Sequence, residues 1–118
     1  MVVTKYRAWF GSEMYDKPVV YDGEFYLDWY EFKNGETHND AILMQSTGLF
    51  DKNGKEIFEG DVVNIFGEKL SQIYYSEGAF CVEVLNGGTP LHVYLSEHLE
   101  IIGNIYENPE LVEGLNEK

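Results

Sequence analysis

Met44-Gln45-Ser46-Thr47-Gly48-Leu49-Phe50-Asp51-Lys52-Asn53-Gly54-Lys55-Glu56-Ile57-Phe58-Glu59-Gly60-Asp61-Val62-Val63 is mostly an instruction about backbone. Asn53-Gly54 is the dipeptide that tolerates positive φ at both central positions of a type I′ hairpin. Thr47-Gly48 punctuates the apolar run before it. Residues 55–60 have the length of a single helical turn. Gly60-Asp61 then turns the chain into a strand that starts at Asp61. The stretch reads as hairpin, single turn, strand.

The same code recurs outside it. Asp22-Gly23 and Asn34-Gly35 carry the type I′ signature, Glu77-Gly78 marks another turn, and Asn86-Gly87-Gly88 a longer one. Between these turns lie short runs rich in β-branched and aromatic residues, at 19–21, 25–32, 41–45, 62–66, 71–75, 79–85, 91–95 and 99–106. Strands of this length and spacing predict a mainly β, antiparallel protein. In 80–84 the alternation puts Phe80, Val82 and Val84 on one face and Cys81 and Glu83 on the other. Read as a strand, 25–32 places Phe25, Leu27 and Trp29 on one face, and Tyr26, Tyr30 and Phe32 with Asp28 on the other. Helical signal is scarce: Asn108-Pro109-Glu110 opens a short C-terminal helix, and Gly114 limits it. The last residues are expected to fray.

From Gly60 the order is Gly-Asp-Val-Val, strand, turn, strand, turn, strand, then Ile-Ile-Gly-Asn-Ile around Gly103. That pattern resembles a small SH3-like barrel. The expected organisation is one domain: a β meander over 1–48, the barrel over 49–106, and a short helix and tail over 107–118. The opening stretch and Ile102-Gly103-Asn104-Ile105-Tyr106-Glu107-Asn108-Pro109-Glu110-Leu111 together resemble the YopX family of phage and prophage proteins, as does the start Lys5-Tyr6-Arg7-Ala8-Trp9. The resemblance implies a phage context and a fold, but no activity. Gly48, Asn53, Gly54, Gly60, Asp61 and Gly103 are expected to be structural turn residues.

The 118 residues suit a single domain that buries roughly two-thirds of its unfolded surface without a staple. A single cysteine, Cys81, forbids an intramolecular disulfide and fits a reducing compartment. No run approaches the roughly 20 apolar residues of a membrane span, and the start has no signal-peptide pattern. The bacterial cytoplasm is the expected location, with no membrane partner. Twenty-one acidic residues stand against eight basic ones, a formal charge of −13. Phosphate backbones are repelled by such a chain, so nucleic acid is not an expected partner. Ordered carboxylates on one face would instead make the chain an acidic DNA mimic or host-factor inhibitor. A nucleic-acid-binding small-barrel module is suggested by the barrel pattern alone.

Catalytic and metal patterns are weak. The segment 51–59 puts its Gly directly after Asn53, out of register for a calcium loop. His38, His92 and His98 form no HxH or HExxH pair. Cys81 with His92 across a hairpin would be a nucleophile pair, but a lone cysteine in an apolar strand is usually a packing residue. Phosphate-loop and GxSxG patterns are absent. No enzyme activity, cofactor or metal is expected.

The aromatics remain. Nine Tyr, seven Phe and two Trp are many for this length. Tyr21, Phe25, Tyr26, Trp29, Tyr30 and Phe32 cluster among Asp22, Glu24, Asp28 and Glu31, with Lys33 as the one base. Single-stranded nucleic-acid readers couple such rings to a basic groove, which is missing here. Some of these rings suit an all-β core. As a surface, Tyr26, Trp29, Tyr30 and Phe32 predict a protein interface, for an unknown protein partner or for self-association into a homo-oligomer.

Overall fold

The computed structural model describes residues 5–83 and 88–113. They are mainly β, in antiparallel sheets, with short helices. The chain divides into two compact units, Met1–Gln45 and Ser46–Lys118.

In the first unit, β1 (Tyr6–Phe10) pairs on one side with β2 (Glu13–Tyr15) and on the other with the start of β5 (Ile42–Phe50). Ala8 sits between both partners, opposite Tyr15 and Leu43, and is wholly buried. A side chain this small lets the sheet be covered closely at its centre. Strands β3 (Val19–Tyr21) and β4 (Glu24–Tyr26) form a two-residue hairpin. Asp22 and Gly23 take φ of 54° and 81°, the type I′ geometry their sequence demands.

The strand expected over 25–32 ends at Tyr26. Asp28 is extended, and its Oδ1 accepts the Glu31 N–H at 2.9 Å, which starts helix α1 (Trp29–Asn34). Asn34-Gly35 closes that helix and is not a hairpin. Gly35 at φ 70° donates to Phe32 O, and Glu36 donates to Glu31 O, the bond pattern of a Schellman cap.

In the second unit, β6 (Glu56–Phe58) pairs with the end of β5, with a register shift between Ser46 and Phe50. Residues 55–60 are therefore not a helical turn. Gly48 at φ 80° lies in the shift. Side chains replace the lost ladder bonds there: Ser46 Oγ accepts the Gly48 N–H, and Thr47 Oγ1 accepts the Leu49 N–H while donating to Ile57 O. Beyond β5, Gly54 is left-handed (φ 81°) but Asn53 is not, so Asn53-Gly54 makes no type I′ turn. The loop is organised instead by Asp51, which is 5% exposed. Its Oδ1 accepts the N–H groups of Asn53 and Lys55, both at 2.9 Å, and its Oδ2 accepts that of Ile101 at 3.0 Å.

Gly60-Asp61 leads into β7 (Asp61–Ile65). Gly60, at φ 93°, donates to Ile73 O and accepts from the Ile105 N–H. Buried Asp61 accepts the Phe58 N–H at 2.7 Å. The run 71–75 is broken at Ile73, whose own N–H turns to Asp61 O, leaving β8 (Lys69–Gln72) and β9 (Tyr74–Ser76). Strand β10 (Ala79–Glu83) follows; Val84 to Gly87, which hold part of an expected strand and turn, lie outside the described residues. The run 91–95 is not a strand either: after β11 (Gly88–Pro90), His92 Nδ1 accepts the Leu95 N–H and caps α2 (Val93–Ser96). Then come β12 (Leu99–Asn104) and α3 (Glu110–Glu113), the short C-terminal helix. The tail beyond it lies outside the described residues.

Strand β7 runs between β12 and β8, and β10 between β11 and β9. Among the described residues these antiparallel ladders curl into a half-barrel. Ile57, Val63, Ile65, Ile73, Val82, Leu95 and Leu99 form the core of this unit, with Leu91 and Ile101 packed against it. Gly103 is needed for packing: a Cβ there would meet Asn108 Oδ1 at 2.5 Å and Leu111 Cδ1 at 2.9 Å.

Two outcomes follow. Burial raises the Asp51 carboxyl, but the amides of Ile101, Lys55 and Asn53 and the charge of Lys55 outweigh it and hold it below its ordinary value of 3.8. Stability from this group is complete above that value and is lost as the pH falls through the lower folded one. Asp51→Ala should cost at least about 2 kcal/mol in urea unfolding at neutral pH, and should flatten the acid limb of the pH–stability curve. Gly103→Ala should cost about 1–3 kcal/mol by overpacking, measured the same way.

Candidate protein-interaction surface

Helix α1 is fixed at both ends by caps, and none of its residues is buried. Its seat is Phe32, half-buried, whose ring is met by three others. Tyr26 and Tyr21 approach edge-on at 5.2 and 5.6 Å, and Trp29 lies tilted at 5.3 Å. Such geometries are favourable beyond the area they bury. Phe32 thereby sets the ring of Trp29, which remains 61% exposed. Tyr30, one residue on, is 69% exposed, and Tyr21 is 62% exposed with Val20 beside it in sequence, also exposed.

Of the four expected interface residues, Tyr26, Trp29 and Phe32 come together. Tyr30 projects from the same helix about 100° around from Trp29. Phe32 and Tyr26 are buttresses rather than free surface. Tyr21, outside the expected four, completes the exposed set. Strand parity misplaced these side chains, because from Trp29 onward they follow the helical period.

The surroundings are acidic. Asp22, Glu24 and Glu36 are exposed, and Asp28 is engaged as the cap. Glu31 Oε1 lies 3.0 Å from His38 Nε2, and the His38 ring stacks on Phe10 at 4.3 Å. Nearby Tyr15 has its phenol raised, by burial first and then by the charges of Glu13, Glu31 and Asp28. The phenol thus sits in a field that opposes a further negative charge.

The other chemical candidates do not converge. His92 caps α2, and the His98 ring tilts against Phe66 at 5.0 Å. Cys81 is buried, its Sγ 3.8 Å from Ala79 O. Among the described residues no three His, Cys, Asp or Glu side chains gather where they could hold a metal ion, and no helix is long and apolar enough to cross a membrane.

A family profile described as YopX protein matches residues 5–113. Protein EF1440 from Enterococcus faecalis, of known crystal structure, is 28% identical over 95% of this chain and 99% of its own, with a TM-score of 0.64. The crystal structure of protein yopX from Bacillus subtilis is 23% identical over 91% of this chain and 96% of its own, with a TM-score of 0.59; that likeness shows the fold. No curated protein matches the chain.

The geometry separates ring roles by stability. Phe32→Ala should cost about 2–3 kcal/mol and loosen the helix, read by urea unfolding and by loss of Trp29 fluorescence anisotropy. Asp28→Ala should cost about 1 kcal/mol as a lost cap. Tyr30→Ala should stay within about 0.5 kcal/mol of the parent.

Proposed function

We propose that this chain, which belongs to the YopX family, is a phage- or prophage-encoded accessory protein that acts by binding protein and performs no catalysis of its own. One observation carries the reading: Trp29, Tyr30 and Tyr21 stand exposed on a helix and hairpin, and Phe32 holds Trp29 and Tyr21 in place. Aromatic side chains are the favoured anchors of protein interfaces, because they bring large area at small entropic cost. A soluble chain gains nothing from exposing them to water.

Self-association is the second form of the same reading. The chain exposes further apolar side chains in its other unit, Phe66, Val93 and Tyr94 among them. Light scattering and capture from host lysate, with parent and with the Trp29→Ala/Tyr30→Ala double variant, test the proposal. The expected result is loss of a captured protein, or of oligomer mass, with thermal unfolding nearly unchanged. A strictly monomeric parent that captures nothing, and a variant whose sole defect is lower stability, would overturn it.

A further inference from the structure

Resting on that protein-binding reading, we propose that the surface around Trp29 takes a cationic segment of another protein, one that presents arginine to the exposed rings. Charge complementarity is the argument. Between Val20 and Glu36 the chain carries Asp22, Glu24, Asp28, Glu31 and Glu36 against the single base Lys33. Two of these carboxylates are already occupied, Asp28 by the Glu31 N–H and Glu31 by His38. Asp22, Glu24 and Glu36 are exposed. Asp22 stands on the hairpin turn directly after Tyr21, and Glu24 opens the returning strand.

Exposed rings in a stretch with five acids and one base, Lys33 in the last turn of the helix, suit one class of group. A guanidinium within about 6 Å of a ring centroid is drawn to the ring's negative face. Its planar fork also pairs with a carboxylate in two bonds, which an ammonium cannot match. Phosphates and acidic peptides are repelled by the same acids. A second copy of this chain is disfavoured at this face as well. A two-fold contact would bring Asp22, Glu24 and Glu36 of each copy against the same acids of the other, on a chain of formal charge −13. These acids therefore reject the chain itself and select a basic partner.

Hexa-arginine, hexalysine and hexaglutamate peptides, titrated into the ¹⁵N-labelled full chain, provide the probe. Hexa-arginine should move the Trp29 indole and the Tyr21 and Tyr30 amides first, hexalysine should bind more weakly, and hexaglutamate should not bind. The Trp29→Ala/Tyr30→Ala double variant should weaken hexa-arginine binding about tenfold. The Asp22→Asn/Glu24→Gln variant, whose Asn tolerates the left-handed turn position, should weaken it several-fold and reduce its salt sensitivity. The Asp22→Asn/Glu24→Gln variant should unfold at the parent temperature, and the Trp29→Ala/Tyr30→Ala variant within a few degrees of it, reflecting the loss of one ring contact on Phe32. Shifts spread over acids far from this surface, with affinity unchanged by either variant, would overturn the proposal. So would an oligomer that the Trp29→Ala/Tyr30→Ala variant dissolves, although that outcome would uphold the wider protein-binding reading. Lost lysate capture by that variant, with no localised peptide binding, would likewise sink the charge assignment alone.

Discussion

The carboxylate of Asp51 accepts three backbone N–H groups, two from its own loop and one from Ile101, fifty residues away. Lys52 N–H reaches Leu99 O on the same strand, so loop and strand are tied twice. A buried anion would be costly without those donors, and the donors would be costly without the anion. The strand it anchors, β12, is also the one whose Leu99 lies in the core and whose Gly103 and Asn104 receive the C-terminal turn. Removing this single group would leave Lys52 N–H to Leu99 O as the remaining tie between the loop after β5 and β12.

The two sequence blocks that carry the family resemblance are explained residue by residue by such backbone needs. Ser46 and Thr47 satisfy the N–H groups exposed where the ladder slips at Gly48. Gly60 links Ile73 and Ile105 through its own N–H and carbonyl. Asn104 Oδ1 accepts the Tyr106 and Glu107 N–H groups, while Asn108 Oδ1 takes the Asn104 N–H across the space that a side chain on Gly103 would fill. Each of these side chains is engaged with backbone. What marks the family in this chain is how it folds.

Legibility followed how local each determinant is. Asp22-Gly23 encodes its own hairpin, because two adjacent left-handed residues suffice to make the turn. Asn53-Gly54 carries the same signature, yet its geometry answers to Asp51 and through it to Ile101, a partner no window around the loop contains. Glu56 to Phe58 likewise became a strand because β5 was available to pair with it. The helix at Trp29 was legible and was hidden by its own aromatics. Asp28 and Glu31 stand at the spacing of a capping box, and Gly35 follows at the other end. Strand propensity of Trp, Tyr and Phe pointed the other way and lost to two caps. For the candidate surface, composition located the cluster, but only the helical period separated the buttress Phe32 from the exposed Trp29 and Tyr30.

That separation bears on why the rings are exposed at all. A six-residue helix is too short to be stable by its own hydrogen bonds. Here the caps and the Phe32 contacts supply what it needs, and no residue of it enters a core. Tyr30 could be polar without removing a cap, whereas Trp29 contributes one of the ring contacts on Phe32. The exposure of Tyr30 therefore has no source in the capping of this helix. A short element pinned at both ends, with the Trp29 ring held against Phe32, has its backbone entropy spent in folding. Preorganisation of that kind lowers the cost of association and does nothing for the isolated chain.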